Sequence, residues 1–308
     1  MNRFLSIDCY KCVCAFLVVL IHSQYPYKDA VLPITTIAVP SFFCMSGFLS
    51  WNSLQKKSRI CRILKILLWS IGIFYCKTLL MNILSARIFY FPSWQEIIDF
   101  FLFNDVSFAN HLWYLSAYIY VLLMVYFLGK KCVYTISLIF LGVLVHWIAI
   151  TKGLPEHVYR NAILQGLPYF SLGAFIRCLY DKNLIFKCRS FIPFIIVVVL
   201  AIYFTPPNDT NSFIKIFLKD TFRFIIVIIG FIGVVSYTEM HENIMSRIGK
   251  YSLYIYVFHP IPLIVLQNIL GKFSGVLFYL LSLLNPFIIT IVCIIVAKYL
   301  KKYNLLPF

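Results

Sequence analysis

The first apolar run of the chain carries three ionisable residues, Asp8, Lys11 and His22. Ionisable groups within a membrane-length apolar segment are costly to bury, which makes them functional candidates. Lys11 and His22 lie eleven positions apart. At 100° per residue they return to within about 20° of one helix face, separated by a rise of roughly 16 Å. One face therefore presents a cation near one end and an imidazole near the other. Asp8, three residues before Lys11, is spaced to pair with it. Two readings follow. In the first, Lys11 snorkels to the interface and His22 merely ends the helix. In the second, the cation attracts an anionic substrate, and the imidazole, uncharged near pH 7, acts as general base or nucleophile.

Further groups sit at or near predicted helix ends. The segment Val39-Pro40-Ser41-Phe42-Phe43-Cys44-Met45-Ser46-Gly47-Phe48-Leu49 has a helix-kinking proline, and Ser46-Gly47 permits close helix approach. His111-Leu112-Trp113-Tyr114-Leu115 opens the fourth predicted helix, where Trp113 and Tyr114 also suit an interfacial aromatic belt. Arg160-Asn161 opens the sixth, at a level where an arginine also meets lipid headgroups. His259-Pro260 falls midway through the ninth, where a histidine is harder to explain by packing. His146 lies within the fifth, whereas His157 and His241 belong to polar links.

The elements that must position these groups are membrane helices. The 308 residues are 62% hydrophobic and only 12% charged, with a mean hydropathy of +0.89. A soluble domain carries about 25% charged residues, and one soluble core of this size cannot hide so much apolar surface. Runs long enough to span a bilayer occur near 5–24, 33–52, 60–82, 112–129, 132–150, 161–179, 188–205, 218–238, 248–270 and 276–299. The sequence thus predicts an all-α protein with ten transmembrane helices, one membrane domain over residues 1–308. The longest link, 83–111, has the composition of a short interfacial helix.

The net charge of +16 raises nucleic-acid binding as a possibility. The placement of the charges argues against it. With the N-terminus inside, sixteen of the 27 Lys and Arg fall in inner loops, seven in outer loops and four in or beside apolar runs. That bias predicts an N-in, C-in topology in the lipid bilayer. Cys9-x-x-Cys12-x-Cys14 lies inside the first apolar run, which disfavours a zinc or thioredoxin-like site. No cysteine falls in an outer loop, and structural disulfides are not expected. No metal site is expected either.

Taken in order, these motifs resemble the acyltransferase-3 family of bacterial integral membrane O-acyltransferases. Members begin with a segment like I-D-x-L-R-G, followed eleven residues after the Arg by a His. Here that stretch is Ile7-Asp8-Cys9-Tyr10-Lys11-Cys12, ending at His22. The family's P-x-F-F-x-x-S-G-F segment resembles Pro40 to Phe48, and its H-L-W-Y/F-L segment resembles His111 to Leu115. An R-N…P-Y-F-x-x-G segment is similar to Arg160-Asn161 with Pro168 to Gly173, and a late G-x-x-S-L-x-I-Y-x-x-H-P segment to Gly249–Pro260. The resemblance spans residue 5 to about residue 300. It departs at Lys11, where the family has Arg: Arg binds a phosphate bidentately, whereas Lys offers a point charge.

The resemblance implies transfer of an acyl group, usually acetyl, from cytoplasmic acyl-CoA to a sugar hydroxyl of a surface glycan or its lipid-linked precursor. It implies a site in the bacterial inner membrane and no permanently bound cofactor, acyl-CoA being a substrate. It marks His22 as catalytic, with Asp8, Lys11, Ser46, His111, Trp113, Arg160 and His259 as substrate-binding candidates. Two other functions suit ten helices with intramembrane charges: a transporter or flippase of a polysaccharide intermediate, and a non-catalytic membrane partner. No inverted repeat or paired broken helices favour the transporter.

Overall fold

The computed structural model describes residues 4–51, 57–86, 89–128, 141–142, 144, 148, 160–185, 213–237 and 241–305. The predicted fifth and seventh spans (132–150 and 188–205) fall mostly or wholly outside the described residues, as do His146 and His157. Among the described residues the regular structure is helical throughout. The helices are α1 (Leu5–His22), α2 (Lys28–Thr35), α3 (Ala38–Ser50), α4 (Lys57–Ala86), α5 (Trp94–Phe103), α6 (Trp113–Leu128), α7 (Leu167–Asp181), α8 (Phe213–Ser236), α9 (Ile244–Gly249), α10 (Ser252–Phe258), α11 (Pro260–Leu270) and α12 (Gly275–Lys302). A 3-10 turn at Ser107–Leu112 precedes α6, and a π turn at Ala162–Gly166 precedes α7.

Six of these stretches are long and apolar enough to cross a membrane, and α10 with α11 make a seventh if taken as one span. The exposed residues fit that reading. Leu68, Leu80 and Met81 on α4 and Val276, Ile291 and Ile295 on α12 are all more than half exposed. Rows of bare aliphatic side chains on a long helix are stable against lipid, not water.

Three expectations are refined. The second predicted span is broken at Thr36-Ile37, so Pro40 lies in the first turn of α3, where its missing N–H is tolerated. The ninth bends by 53° between α10 and α11, at His259-Pro260. The 83–111 link does contain a helix, α5. Its first turn is fixed by a capping box: Ser93 Oγ accepts from the Glu96 amide, and Glu96 Oε2 accepts from the Ser93 amide. Asn104, in the left-handed region at φ 62°, ends it.

The chain divides into two compact units, Met1–Met45 with Leu179–Leu306, and Ser46–Cys178 with Pro307–Phe308. In the first, α1 is the central strut. Ile7, Cys14, Ala15 and Val19 are fully buried, and the helix packs on α2, α8, α9, α10 and α12. Its closest crossing is with α9. A Cβ on Gly249 would lie 1.8 Å from the Asp8 carbonyl oxygen, so only glycine lets the two backbones touch. In the second unit, α4 and α6 pack together. There a Cβ on Gly47 would lie 1.9 Å from the Phe170 carbonyl oxygen, which brings α3 against α7.

Candidate active site

Within the first unit, α1 carries one polar constellation at each end. Near its start, α9 is launched by a capping box in which Asn243 Oδ1 accepts from the Ser246 amide (2.8 Å) and Ser246 Oγ accepts from the Asn243 amide (3.0 Å). The Cys9 thiol also donates to Asn243 Oδ1, at 3.3 Å. This close crossing buries Asp8 to 7% exposure. Lys11 Nζ donates to Asp8 Oδ1 at 3.0 Å, so the predicted i, i+3 pair is formed. Its side chains are 26% and 11% exposed, respectively. An ammonium carries three donors, and the pair engages one of them on Asp8. In the same turn, the Tyr10 and Ser41 hydroxyls hydrogen-bond at 2.8 Å.

His22 is the last residue of α1. The chain leaves the helix at Ser23, whose hydroxyl donates to the Val19 carbonyl at 2.7 Å. The His22 ring is exposed on one side and stacked on His259 on the other, with centroids 5.2 Å apart and planes inclined at 28°. His259 is 1% exposed. It stands at the bend between α10 and α11, where Pro260 occupies the first position of the new helix and needs no hydrogen-bond acceptor for its nitrogen. His259 Nδ1 lies 2.7 Å from the Tyr256 carbonyl oxygen. A carbonyl can only accept, so Nδ1 carries the proton. In the neutral ring, Nε2 then holds the lone pair. The bend thus fixes both the tautomer and the orientation of the histidine behind His22.

The remaining predicted residues lie in the second unit. Ser46 and Tyr114 share a hydroxyl hydrogen bond of 3.3 Å, and Tyr114 stacks on Tyr118 with planes 6° apart. His111, at the end of the 3-10 turn, meets the Phe74 ring edge-on at 4.5 Å. Trp113 opens α6, and its carbonyl accepts from Ser116 Oγ at 2.9 Å. Arg160 is half-buried beside Asn161, whose Oδ1 accepts from the Ile163 and Leu164 amides. Asn104 ties this helix start to α6: its Oδ1 accepts from the Ala162 amide at 3.0 Å and its carbonyl from Ser116 Oγ at 2.7 Å.

Of the residues read from the sequence, the structure therefore joins Asp8 to Lys11 and His22 to His259. The sequence reading omits Tyr256, which acts through a main-chain carbonyl and leaves no residue-type signal. It also omits Asn104 and Ser116. A polar residue at the foot of an apolar helix is the only hint they give, and turns supply many such residues.

No significant match was found among curated proteins or solved structures. The profile of an acyltransferase domain, acyltransferase 3, matches residues 4–299, which includes every candidate residue above. With an acyltransferase signature over nearly its whole length, apolar helices of membrane length, and two histidines in contact at the end of the first of them, the chain belongs to the acyltransferase-3 family and is a membrane acyltransferase.

Proposed function

We propose that this protein is an O-acetyltransferase of the bacterial inner membrane, moving the acetyl group of cytoplasmic acetyl-CoA to a sugar hydroxyl on a surface polysaccharide or its lipid-linked precursor. The observation that carries the proposal is the stack of His22 on His259 at the end of α1, in a chain whose family transfers acyl groups. In this reading the chain spans the membrane ten times, with both ends in the cytoplasm. Lys11 then lies toward the cytoplasm and His22 toward the outer surface, roughly 16 Å apart along one helix.

The reaction divides between these two ends. Lys11, held by Asp8, attracts the phosphates of the donor through its remaining donors. The thin pantetheine arm carries the thioester toward His22. His22 takes the proton of the acceptor hydroxyl as that oxygen bonds to the thioester carbon. The tetrahedral oxyanion collapses, the carbon–sulfur bond breaks, and the leaving thiolate recovers the proton from the His22 imidazolium. His259, its Nδ1 fixed on the Tyr256 carbonyl, keeps the His22 ring in place through the proton transfer.

Mass spectrometry of the surface glycan with and without the gene tests this reading. Acetyl esters present in the wild type and missing from the deletion strain are expected, with release of CoA thiol by the purified protein. Identical glycans together with no CoA release would reject it. Reporter fusions after Lys57 and Lys250 should report cytoplasm, and those near Lys28 the outer side; inversion of these signals would reject the topology.

A further inference from the structure

The buried stripe of α12 runs through Ser282, Asn285, Pro286, Ile289, Cys293 and Ala297. Its lower members are apolar or small, as expected of a packed membrane helix. Ser282 and Asn285 are not, and each is 1% exposed. The Ser282 hydroxyl, the Asn285 carbonyl oxygen and the Asn285 amide nitrogen are all buried without a hydrogen-bond partner among the described residues. Native proteins rarely leave such groups unmatched, and each one needs an explanation. The backbone adds a fourth. Pro286 has no N–H, so the helical hydrogen bond that would end on the Ser282 carbonyl is not made. One turn of α12 therefore presents a hydroxyl, a carboxamide and an open carbonyl together.

The register of α12 places this turn. α12 packs on α1, α10 and α11, the helices that carry His22 and His259. Phe287 meets Phe16 of α1 with centroids 4.8 Å apart. Further along, Tyr279 meets Tyr27, which follows α1, and their hydroxyls hydrogen-bond. The two helices thus run antiparallel. From the Phe16–Phe287 level, His22 lies about 9 Å along α1, while Asn285 and Ser282 lie about 3 and 7.5 Å along α12 in the same direction. Ser282 is level with the last turn of α1.

We propose that Ser282 and Asn285 form the subsite that binds neighbouring hydroxyls of the sugar acceptor. The inference rests on the O-acetyltransferase reading above and adds the residues that hold its acceptor. The chemistry of the turn selects the ligand class. It holds donors and acceptors but no charge, which suits a polyol and not a phosphate. Its level, beyond Phe16 toward His22 and away from Lys11, puts it at the acceptor end of α1. Vicinal hydroxyls both donate and accept, so one sugar ring could satisfy the carboxamide, the hydroxyl and the open carbonyl. That match would explain why an apolar helix keeps groups that no described residue satisfies.

The test uses purified full-length protein, radiolabelled acetyl-CoA, and unacetylated surface glycan extracted from a strain lacking the gene. Asn285→Leu keeps the number and branching of the side-chain heavy atoms and removes the polar ones, and Ser282→Ala is its companion. A residue satisfied only by ligand loses nothing in the empty protein, so both variants should keep or raise the melting temperature without substrate. Each should raise the KM for glycan by about tenfold or more, the effect of one lost hydrogen bond. The KM for acetyl-CoA should stay unchanged. A lower melting temperature with transfer lost in proportion would make the pair structural and overturn the proposal, as would a shift in the acetyl-CoA KM instead. Unchanged glycan KM in both variants, with His22→Gln inactive, would reject the subsite and leave the acetyltransferase reading standing. No transfer to glycan by the wild type would reject that reading and the subsite with it.

Discussion

The first turns of α1 hold an ion pair, whereas its last turn holds a pair of imidazoles. The ion pair is local: Asp8 and Lys11 are three residues apart on one helix and would meet in any context that keeps α1 helical. The imidazole pair is not local. His22 and His259 are far apart in the chain, and they meet only because α10 packs on α1 and bends into α11 at His259. In the function proposed above, the contrast separates attraction from positioning. A cation that draws in a flexible anionic donor tolerates angular error, since a point charge acts over distance. A base that takes a proton in a transition state does not, and it needs a rigid, long-range support.

The largest effect should come from the imidazole end. General base catalysis contributes typically 10²–10⁴-fold, so His22→Gln, which stays polar but accepts no proton near pH 7, should cut turnover by at least about a hundredfold. His241→Ala, at an exposed site, serves as control and should keep wild-type turnover. Retention of more than about a tenth of activity by His22→Gln would move the base elsewhere and remove the contrast between the two ends.

His259→Phe sharpens the same point. The variant keeps an aromatic ring for His22 to stack on and removes both nitrogens, including the Nδ1 donor to Tyr256. The hydrogen bond that fixes the ring behind His22 is worth about 0.5–1.5 kcal/mol, or roughly two- to tenfold in rate. Turnover should fall by that factor, with little change in the KM for acetyl-CoA and an altered pH–rate profile. Full turnover with an unchanged profile would show that His259 is packing alone.

Gly249→Ala probes the crossing that supports the other end. The added Cβ would strike the Asp8 carbonyl, and backbone cannot yield as a flexible side chain does. Forcing the helices apart should cost about 1–3 kcal/mol of stability, read as a lower melting temperature in detergent. An unchanged melting temperature would mean that α9 slides freely on α1.

What could be read in advance follows the same division. The helical periodicity of α1 made the face shared by Lys11 and His22 legible, and the i, i+3 spacing made the Asp8–Lys11 pair legible. His259 was legible as a histidine inside an apolar run next to proline, but not as the partner of His22. Nothing in residue types reports that a ring at position 259 stacks on one at position 22. The bend hides behind an apolar run that reads as one span, whereas the break at Thr36-Ile37 is the one Pro40 announces, since its ring stands against the Thr36 carbonyl four residues before it. Ser282 and Asn285 went unread for another reason: two small polar residues in a 28-residue apolar helix do not disturb its hydropathy, and their burial depends on which face packs.

The smallest effect should come from the ion pair, and its direction matters more than its size. Lys11→Ala removes the charge proposed to draw the donor and should raise the KM for acetyl-CoA by about tenfold or less, since a partly exposed ion contact is worth only about 1 kcal/mol. Turnover at saturating donor should hold, because the base lies roughly 16 Å away. Lys11→Arg should restore or lower the KM, as a guanidinium meets a phosphate bidentately. Asp8→Asn provides the opposing arm. It leaves the Lys11 ammonium without its carboxylate and so more available to the donor, and the KM should not rise as it does in Lys11→Ala. Salt offers an independent check: screening should weaken donor binding in the wild type more than in Lys11→Ala. Should Lys11→Ala instead lower turnover at saturating donor while leaving the KM and its salt dependence alone, Lys11 would be supporting the structure around Asp8, and the two ends of α1 would no longer differ in the way proposed.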